Sequence, residues 1–362
     1  MILRTRRSED RPVVATRDMA RRKRRRRALA TLGVGAAVVA GTGYGAWLYI
    51  DQQEYLLDER CVLKVGEQEH RLEPEQAANA AQLAALAVDR DLPPAAAAHA
   101  VSIALQESDL RAAEAEDDHD GEELFTRGGP EWDSGSDAGP VAVTARDFFD
   151  DLVATLPEED EEDQSNEDGE EDSPSHWNSE LTAAETAELL ERPHDLSFYE
   201  QHEEIGRAFS APLTGQQPVG MTCHLSQLEV PEPDPAGAAD ELAATLPSIL
   251  ELPDPEENDV ADEDSDPGLD YGEAIEISDE DEGAVVVIDV PERDADEDRS
   301  EGATSGSDDV WMIAHWSVAH AERFGIQGVH AGPYVWDRDT TRWERTEKVR
   351  DDSVALTFSR DS

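Results

Sequence analysis

Hydrophobic and polar positions divide the chain into stretches of different period. Ala28 to Ile50 carries no charged residue and directly follows an unbroken basic run, Arg21 to Arg27. A helix of about 20 residues crosses the hydrocarbon core of a bilayer, so 28–50 is expected to be a transmembrane helix that stays uncleaved. Basic residues remain on the cytoplasmic side, which puts the tail 1–27 inside the cell and the body outside it. Tyr44, Trp47 and Tyr49 fall at the far end, where aromatic rings suit the interface. A cleaved signal peptide is the rival reading, but the stretch is long for one and shows no clear small-x-small site near Ile50.

Beyond the span a helical period takes over. Pro74-Glu75-Gln76 opens a run with Ala77, Ala81, Leu83, Ala84, Leu86 and Ala87 in register. Leu92-Pro93-Pro94 breaks it, and a second helix runs from about 94 to 110. Phe148, Phe149 and Leu152 mark a third over 141–155, and Leu181 to Leu190 and Ser197 to Phe209 give two more. Residues 51–228 are therefore expected to form an all-helical domain, interrupted by an acidic loop at 156–176 that is too charged to pack. Residues 229–283 read as linker and acidic low-complexity sequence around one amphipathic helix, Ala238 to Leu250. The period then shortens. Ala284 to Val290 is a β-branched strand, Asp309 to Phe324 a helix, and Ile326 to Trp336 and Val354 to Phe358 strands, with a turn at Arg338 to Arg342. Residues 284–362 are thus a small α/β domain. The predicted class is α+β with acidic disordered insertions.

Charge sharpens this division. The formal net charge is −55, yet residues 1–27 hold 12 Lys/Arg against three acids. The rest of the chain keeps 18 of the 30 basic and 82 of the 85 acidic residues, a net of −64. A body this negative repels nucleic acid and anionic lipid, so nucleic-acid binding is excluded as a function. Lysine is confined to Lys23, Lys64 and Lys348. Few Lys, many Asp/Glu and much Ala suggest a surface kept hydrated in high salt. A cation-binding surface is the alternative reading of the same acids.

Cys61 and Cys223 are the two cysteines, and both follow the span. An even pair in an oxidising compartment reads as one disulfide. It would close a loop of about 160 residues, which stabilises by about 5 kcal/mol in the chain-entropy model.

The sharpest chemical feature is Ala104-Leu105-Gln106-Glu107-Ser108-Asp109-Leu110 at a helix end. Ile103, Glu107 and Leu110 are spaced i, i+4 and i+7, which sets a carboxylate beside an apolar stripe. A carboxyl in such a site can serve as a general acid at neutral pH, and glycosidic cleavage needs one next to the leaving oxygen. The opposing reading is a carboxylate that only caps a loop. Asp117, Asp118 and Asp120 could supply a second carboxylate or a cation site, or form a solvated loop.

Helix-end Gln106-Glu107-Ser108 followed by a polar loop and Leu124-Phe125 resembles the lysozyme-like superfamily, including soluble lytic transglycosylases and goose-type lysozymes. The wider set resembles an actinobacterial family of membrane-anchored proteins of unsettled function. It comprises Glu75 to Ala80, Trp132, Thr182 to Ala187, Tyr199 to Glu203, Leu213-Thr214-Gly215 and Thr222-Cys223, in order over residues 61–223. The resemblance implies a lysozyme-like fold for 51–228 with Glu107 as the catalytic acid. Where that family has Gly before Leu-Phe this chain has Glu123, and where it has Gln after Phe this chain has Thr126. Both changes fall where the family shapes its sugar cleft. Trp311 to Ala321 and Phe324-Gly325-Ile326 resemble a second segment of the same family and, more distantly, the D-Ala-D-Ala peptidases of the hedgehog-like fold. His315, His320 and His330 do not reproduce a zinc ligand set.

These readings together predict a single-pass protein of the cell membrane, N-terminus cytoplasmic and body extracellular. It is expected to bind peptidoglycan glycan strands or another envelope partner. If Glu107 is active it would cleave the strands as a lytic transglycosylase or muramidase-like glycosidase. No cofactor and no metal are expected. The alternative is a non-enzymatic interaction or cation-binding protein with a degenerate lysozyme-like domain.

Overall fold

The computed structural model describes residues 59–65, 68–111, 124–125, 141–156, 174–253, 271–280, 283–291 and 306–359. The expected tail 1–27, the expected span 28–50 and nearly all of the acidic loop lie outside them. Among the described residues no helix is long and apolar enough to cross a membrane.

The first element corrects an expectation. Strands β1 (Arg60–Val65) and β2 (Gln68–Leu72) pair as an antiparallel hairpin, and β1 also pairs with β3 (Met221–His224) in the order β2-β1-β3. The region 51–228 is therefore not all-helical. Its strands are four to six residues long, too short for a period-2 signal to stand out. Cys61 and Cys223 face each other directly in the β1–β3 register and form the disulfide.

The helices follow the sequence more closely. Helix α1 (Pro74–Asp89) starts on Pro at its first position, with the Glu73 N–H donating to the Gln76 side chain at 2.9 Å. Eleven of its 16 residues are buried, so it is enclosed nearly all round, and its alanines let neighbours approach closely. Helix α2 (Pro94–Ser108) buries every residue from Ala96 to Leu105. Helices α3 (Val141–Ala154), α4 (Ala183–Leu189), α5 (Leu196–Glu200) and α6 (Glu203–Leu213) complete this layer. The expected helix at 197–209 is thus two helices. Gly206 of α6 lies so close to α2 that an added Cβ would stand 2.1 Å from Ser102 Oγ and 2.4 Å from the Ala98 carbonyl.

Helix α7 (Pro235–Thr245) matches the amphipathic helix expected near 238–250. A second sheet, all antiparallel, has the order β4-β5-β7-β6, with β4 (Ile275–Glu280), β5 (Gly283–Asp289), β6 (Gly328–Asp337) and β7 (Arg342–Thr357). Strand β4 falls in the stretch expected to be acidic linker. There Ile275 enters the core at 5 % exposure, although Glu273 and Glu276 flank it in sequence. Helix α8 (Gly306–Ala319) packs on β6 and β7 of this sheet, the short helix α9 (Ala321–Phe324) packs on α7 and α8, and residues 338–341 form the expected turn.

The segments expected as 51–228 and 284–362 share one core. Asp58–Ser362 is a single compact unit, and its buried side chains form one cluster running from Cys61 to Phe358. Helix α8 packs on α1 and α6 as well as on β6 and β7. Buried polar groups stitch the seam. Gln82 of α1, 2 % exposed, donates to Thr245 Oγ1 at 2.7 Å and accepts from the Trp316 indole at 3.2 Å. Trp336 donates to Thr222 Oγ1 at 2.9 Å and Trp343 to the Met221 carbonyl at 2.8 Å. The fully buried Arg338 donates to the Ser226 and Ala321 carbonyls and pairs with Glu322.

Three histidines sit inside this core as neutral rings. Burial pushes His315 down to about 4 and His320 to about 3. Burial, helped by the positive Arg207, pushes His99 to about 4. An unfolded histidine titrates near 6.5, so between that pH and about 4 the unfolded chain binds protons that the folded chain refuses. Stability is therefore full above about pH 6.5 and is lost as the pH falls toward 4, by on the order of 2–3 kcal/mol per ring. Burial raises Asp89 and Glu322, which acts in the opposite direction. Urea unfolding is expected to show a midpoint well below its pH 7 value at pH 4.5. An unchanged midpoint would contradict the burial of neutral rings.

Candidate functional site

Glu107 stands in the last turn of α2. The helix ends because Asp109 and Leu110 take the left-handed conformation, φ +56° and +53°. Two side chains of α1 hold this turn: Gln76 donates to the Asp109 carbonyl and Asn79 to the Leu110 carbonyl, both at 2.8 Å. Ser108 bonds back to the Ala104 carbonyl at 3.0 Å, so its hydroxyl serves the helix. The path of the chain therefore aims Glu107 inward, between α2 and the segment after α4.

What waits there is a guanidinium. The Glu107 side chain is 0 % exposed and the Arg192 side chain 5 %. Arg192 Nε donates to Glu107 Oε1 at 2.8 Å, and its terminal nitrogen donates to Oε2. Tyr199 of α5 adds a third bond, its hydroxyl donating to Oε1 at 3.2 Å. Burial, together with the negative Glu107, raises the Tyr199 phenol above its usual range, so it remains a donor at any ordinary pH. Arg192 also lies over the rings of Phe125 and Phe148, 5.4 and 5.8 Å from their centroids. Those two rings stack on each other at 4.3 Å. The carboxylate is thus closed by a paired cation whose guanidinium is itself covered by two aromatic rings.

Several motif residues do converge here. Glu107, Phe125 and Tyr199 share the cluster, and next to it His202 Nε2 lies 3.3 Å from Gln106 Oε1. Leu124 and Phe125 are buried, at 0 % and 4 % exposure. Others serve elsewhere. Thr182 caps α4, accepting from the Glu185 N–H at 3.1 Å while Glu185 bonds back. Gly215, φ +80°, takes part in the seam, for a Cβ there would meet the Asp308 carbonyl at 1.7 Å. Glu123, Thr126, Trp132, Asp117, Asp118 and Asp120 lie outside the described residues.

Arg192 was not singled out from the sequence. The available signal was scarcity: with 18 basic residues after position 27, an arginine between two helices and next to Pro193 is a candidate partner for any inward carboxylate. Asp151 was missed as well. It lies within electrostatic reach of Arg192, and partial burial, with the repulsion of Asp147 and Asp150, raises its carboxyl.

In this arrangement the cluster pairs a buried carboxylate with a buried guanidinium. Both oxygens of Glu107 accept hydrogen bonds, and the cavities of about 430, 620 and 640 Å³ described in the molecule are lined by other residues. Among the described residues no group of three His, Cys, Asp or Glu side chains converges as a metal site. His315 and His320 point to separate partners, the Pro212 carbonyl at 2.7 Å and the Trp316 carbonyl at 2.8 Å. No protein-family model, curated protein or solved structure matches this chain.

Breaking a buried pair by removing one member leaves an uncompensated charge, at a cost of about 3–5 kcal/mol, whereas an apolar replacement of both is often neutral. Arg192→Met is therefore expected to lower the unfolding free energy by about 3–5 kcal/mol, and Arg192→Met with Glu107→Leu to recover most of that loss. Denaturant titration of the wild type and both variants measures it. Equal losses in the single and double variants would mean that the pair is not coupled.

Proposed function

We propose that the chain is a membrane-anchored protein of the cell envelope whose lysozyme-like helical layer, α1 to α6, binds peptidoglycan strands without cleaving them. The anchor rests on the charge-free stretch 28–50 behind its basic run. The peptidoglycan reading rests on the ordered resemblance over residues 61–223. The choice of binding over cleavage rests on one observation: the carboxylate in the catalytic position is fully buried and accepts bonds from Arg192 and Tyr199.

A general acid must hold a proton within hydrogen-bond reach of the leaving oxygen. To do so, Glu107 would have to give up the guanidinium, and Arg192 would have to leave its place over Phe125 and Phe148. That rearrangement separates a buried ion pair before any sugar is bound. A retained fold with a sealed acid instead serves as a scaffold for recognition.

The test uses the full chain in detergent, because the shared core makes 59–230 incomplete without 284–358. Wild type and Glu107→Gln are incubated with purified insoluble peptidoglycan in high salt. Co-sedimentation with the pellet and release of soluble muropeptides are both measured. Co-sedimentation with no release by either protein is expected. Release by the wild type that is lost in Glu107→Gln would make the protein a glycosidase, and absence of co-sedimentation would remove the peptidoglycan reading.

A further inference from the structure

In a body carrying a net charge of −64, one cavity collects positive charge. It measures about 620 Å³, within the range of small-molecule sites, and lies where the two sheets meet. Arg60 and Lys64 come from β1, His224 from β3 and Arg342 from β7. Lys64 is one of only two lysines after residue 27. Among the described residues the lining holds one carboxylate, Glu69, which pairs with Arg71 at a salt-bridge distance of 2.6 Å. That bond holds the Glu69 carboxyl below its ordinary range, with a further contribution from the positive Lys64 and Arg60.

The same cavity has aromatic walls that are fixed in place. Trp343 and Tyr334 line it, both half-buried. Trp343 is pinned by its bond to the Met221 carbonyl and packs edge-on to Trp311 at 5.5 Å. Tyr334 packs against the same Trp311 at 6.0 Å. Across the cavity floor Thr222 donates to the Thr341 carbonyl at 2.7 Å, tying β3 to the β6–β7 turn. The two strands that bring Arg60 and His224 are joined by the disulfide next to both residues. Cationic donors beside rigid rings are the arrangement that recognises a ring-shaped ligand carrying an anionic group: the guanidinium takes the anion through paired N–H donors, and the ring faces take the C–H surface of the sugar.

We infer that this cavity is a binding site for an acidic saccharide, with Arg60, Lys64, His224 and Arg342 taking a carboxylate or phosphate and Trp343 and Tyr334 the sugar ring. This deepens the envelope-binding reading and rests on it for the biological source of the ligand. Two kinds of wall polymer carry the required chemistry, the lactyl carboxylate of a muramyl sugar from which the stem peptide has been removed and the phosphodiester of a sugar-phosphate chain. The site is separate from the Glu107 cluster and does not depend on whether that residue is catalytic.

The experiment is calorimetric titration of the full chain in detergent with three probes. They are the disaccharide N-acetylglucosaminyl-N-acetylmuramic acid, the uncharged N,N′-diacetylchitobiose, and N-acetylglucosamine 1-phosphate. The Lys64→Ala/Arg342→Ala variant is run beside the wild type; both side chains are exposed, so its thermal midpoint is expected to stay unchanged. At least one anionic probe is expected to bind at least tenfold more tightly than diacetylchitobiose, and the variant to lose at least tenfold of that affinity. The stronger of the two anionic probes identifies the source. Equal binding of charged and uncharged sugars, or equal binding by variant and wild type, would overturn the site. If the variant sediments with peptidoglycan as well as the wild type while neither binds the defined probes, the site fails and the envelope reading stands. Binding of a probe without sedimentation by the wild type has the reverse meaning.

Discussion

One buried amide side chain holds three distant parts of the chain to each other. Gln82 sits in the middle of α1, donates to Thr245 at the end of α7 and accepts from Trp316 in α8. A buried amide without partners costs more than its hydrogen bonds return when made. Its position therefore fixes how α7 and α8 seat on α1, and does so with a specificity that the surrounding alanines lack. The second sheet comes with α8, and the disulfide-bonded first sheet joins it through Thr222, Trp336 and Trp343. A helix that reads as the start of one domain is thus the centre of the whole described unit.

Charge is managed by the same economy. A surface this acidic keeps the body soluble but works against compactness. Two arginines are placed where one buried cation satisfies several groups at once. Arg338 is fully buried with two carbonyls and Glu322 around it. Arg192 closes Glu107 under an aromatic stack. Against this background the cavity beside Trp343 stands out, because it spends three basic side chains on a wall that holds one carboxylate.

Much of the architecture was legible in the chain. Alanine and leucine at helical spacing, bounded by Pro74 and Pro94, marked α1 and α2 because a helix repeats its buried face every three to four residues and proline can only open it. The β-branched run at 284–290 marked β5, and the pair of cysteines their own bond. Strands β1, β2 and β3 were not legible, since four to six residues carry too little alternation, and β4 was hidden in a run of sequence rich in carboxylates. The convergence of Glu107, Phe125 and Tyr199 followed the motif order; the arginine that seals them did not.

The sequence by itself determined the identity of the helices, the break in period near residue 284, the acidity of the body and the carboxylate at the end of α2. Each of these depends on neighbours within a few positions, and local spacing carries them. Only the tertiary structure decided that the two halves share one core, that Glu107 meets Arg192 across 85 residues, and that Arg60, Lys64, His224 and Arg342 line one cavity. Those are contacts between distant segments. Their pairing depends on how whole faces pack and on which buried polar groups find partners, and no local pattern contains that information.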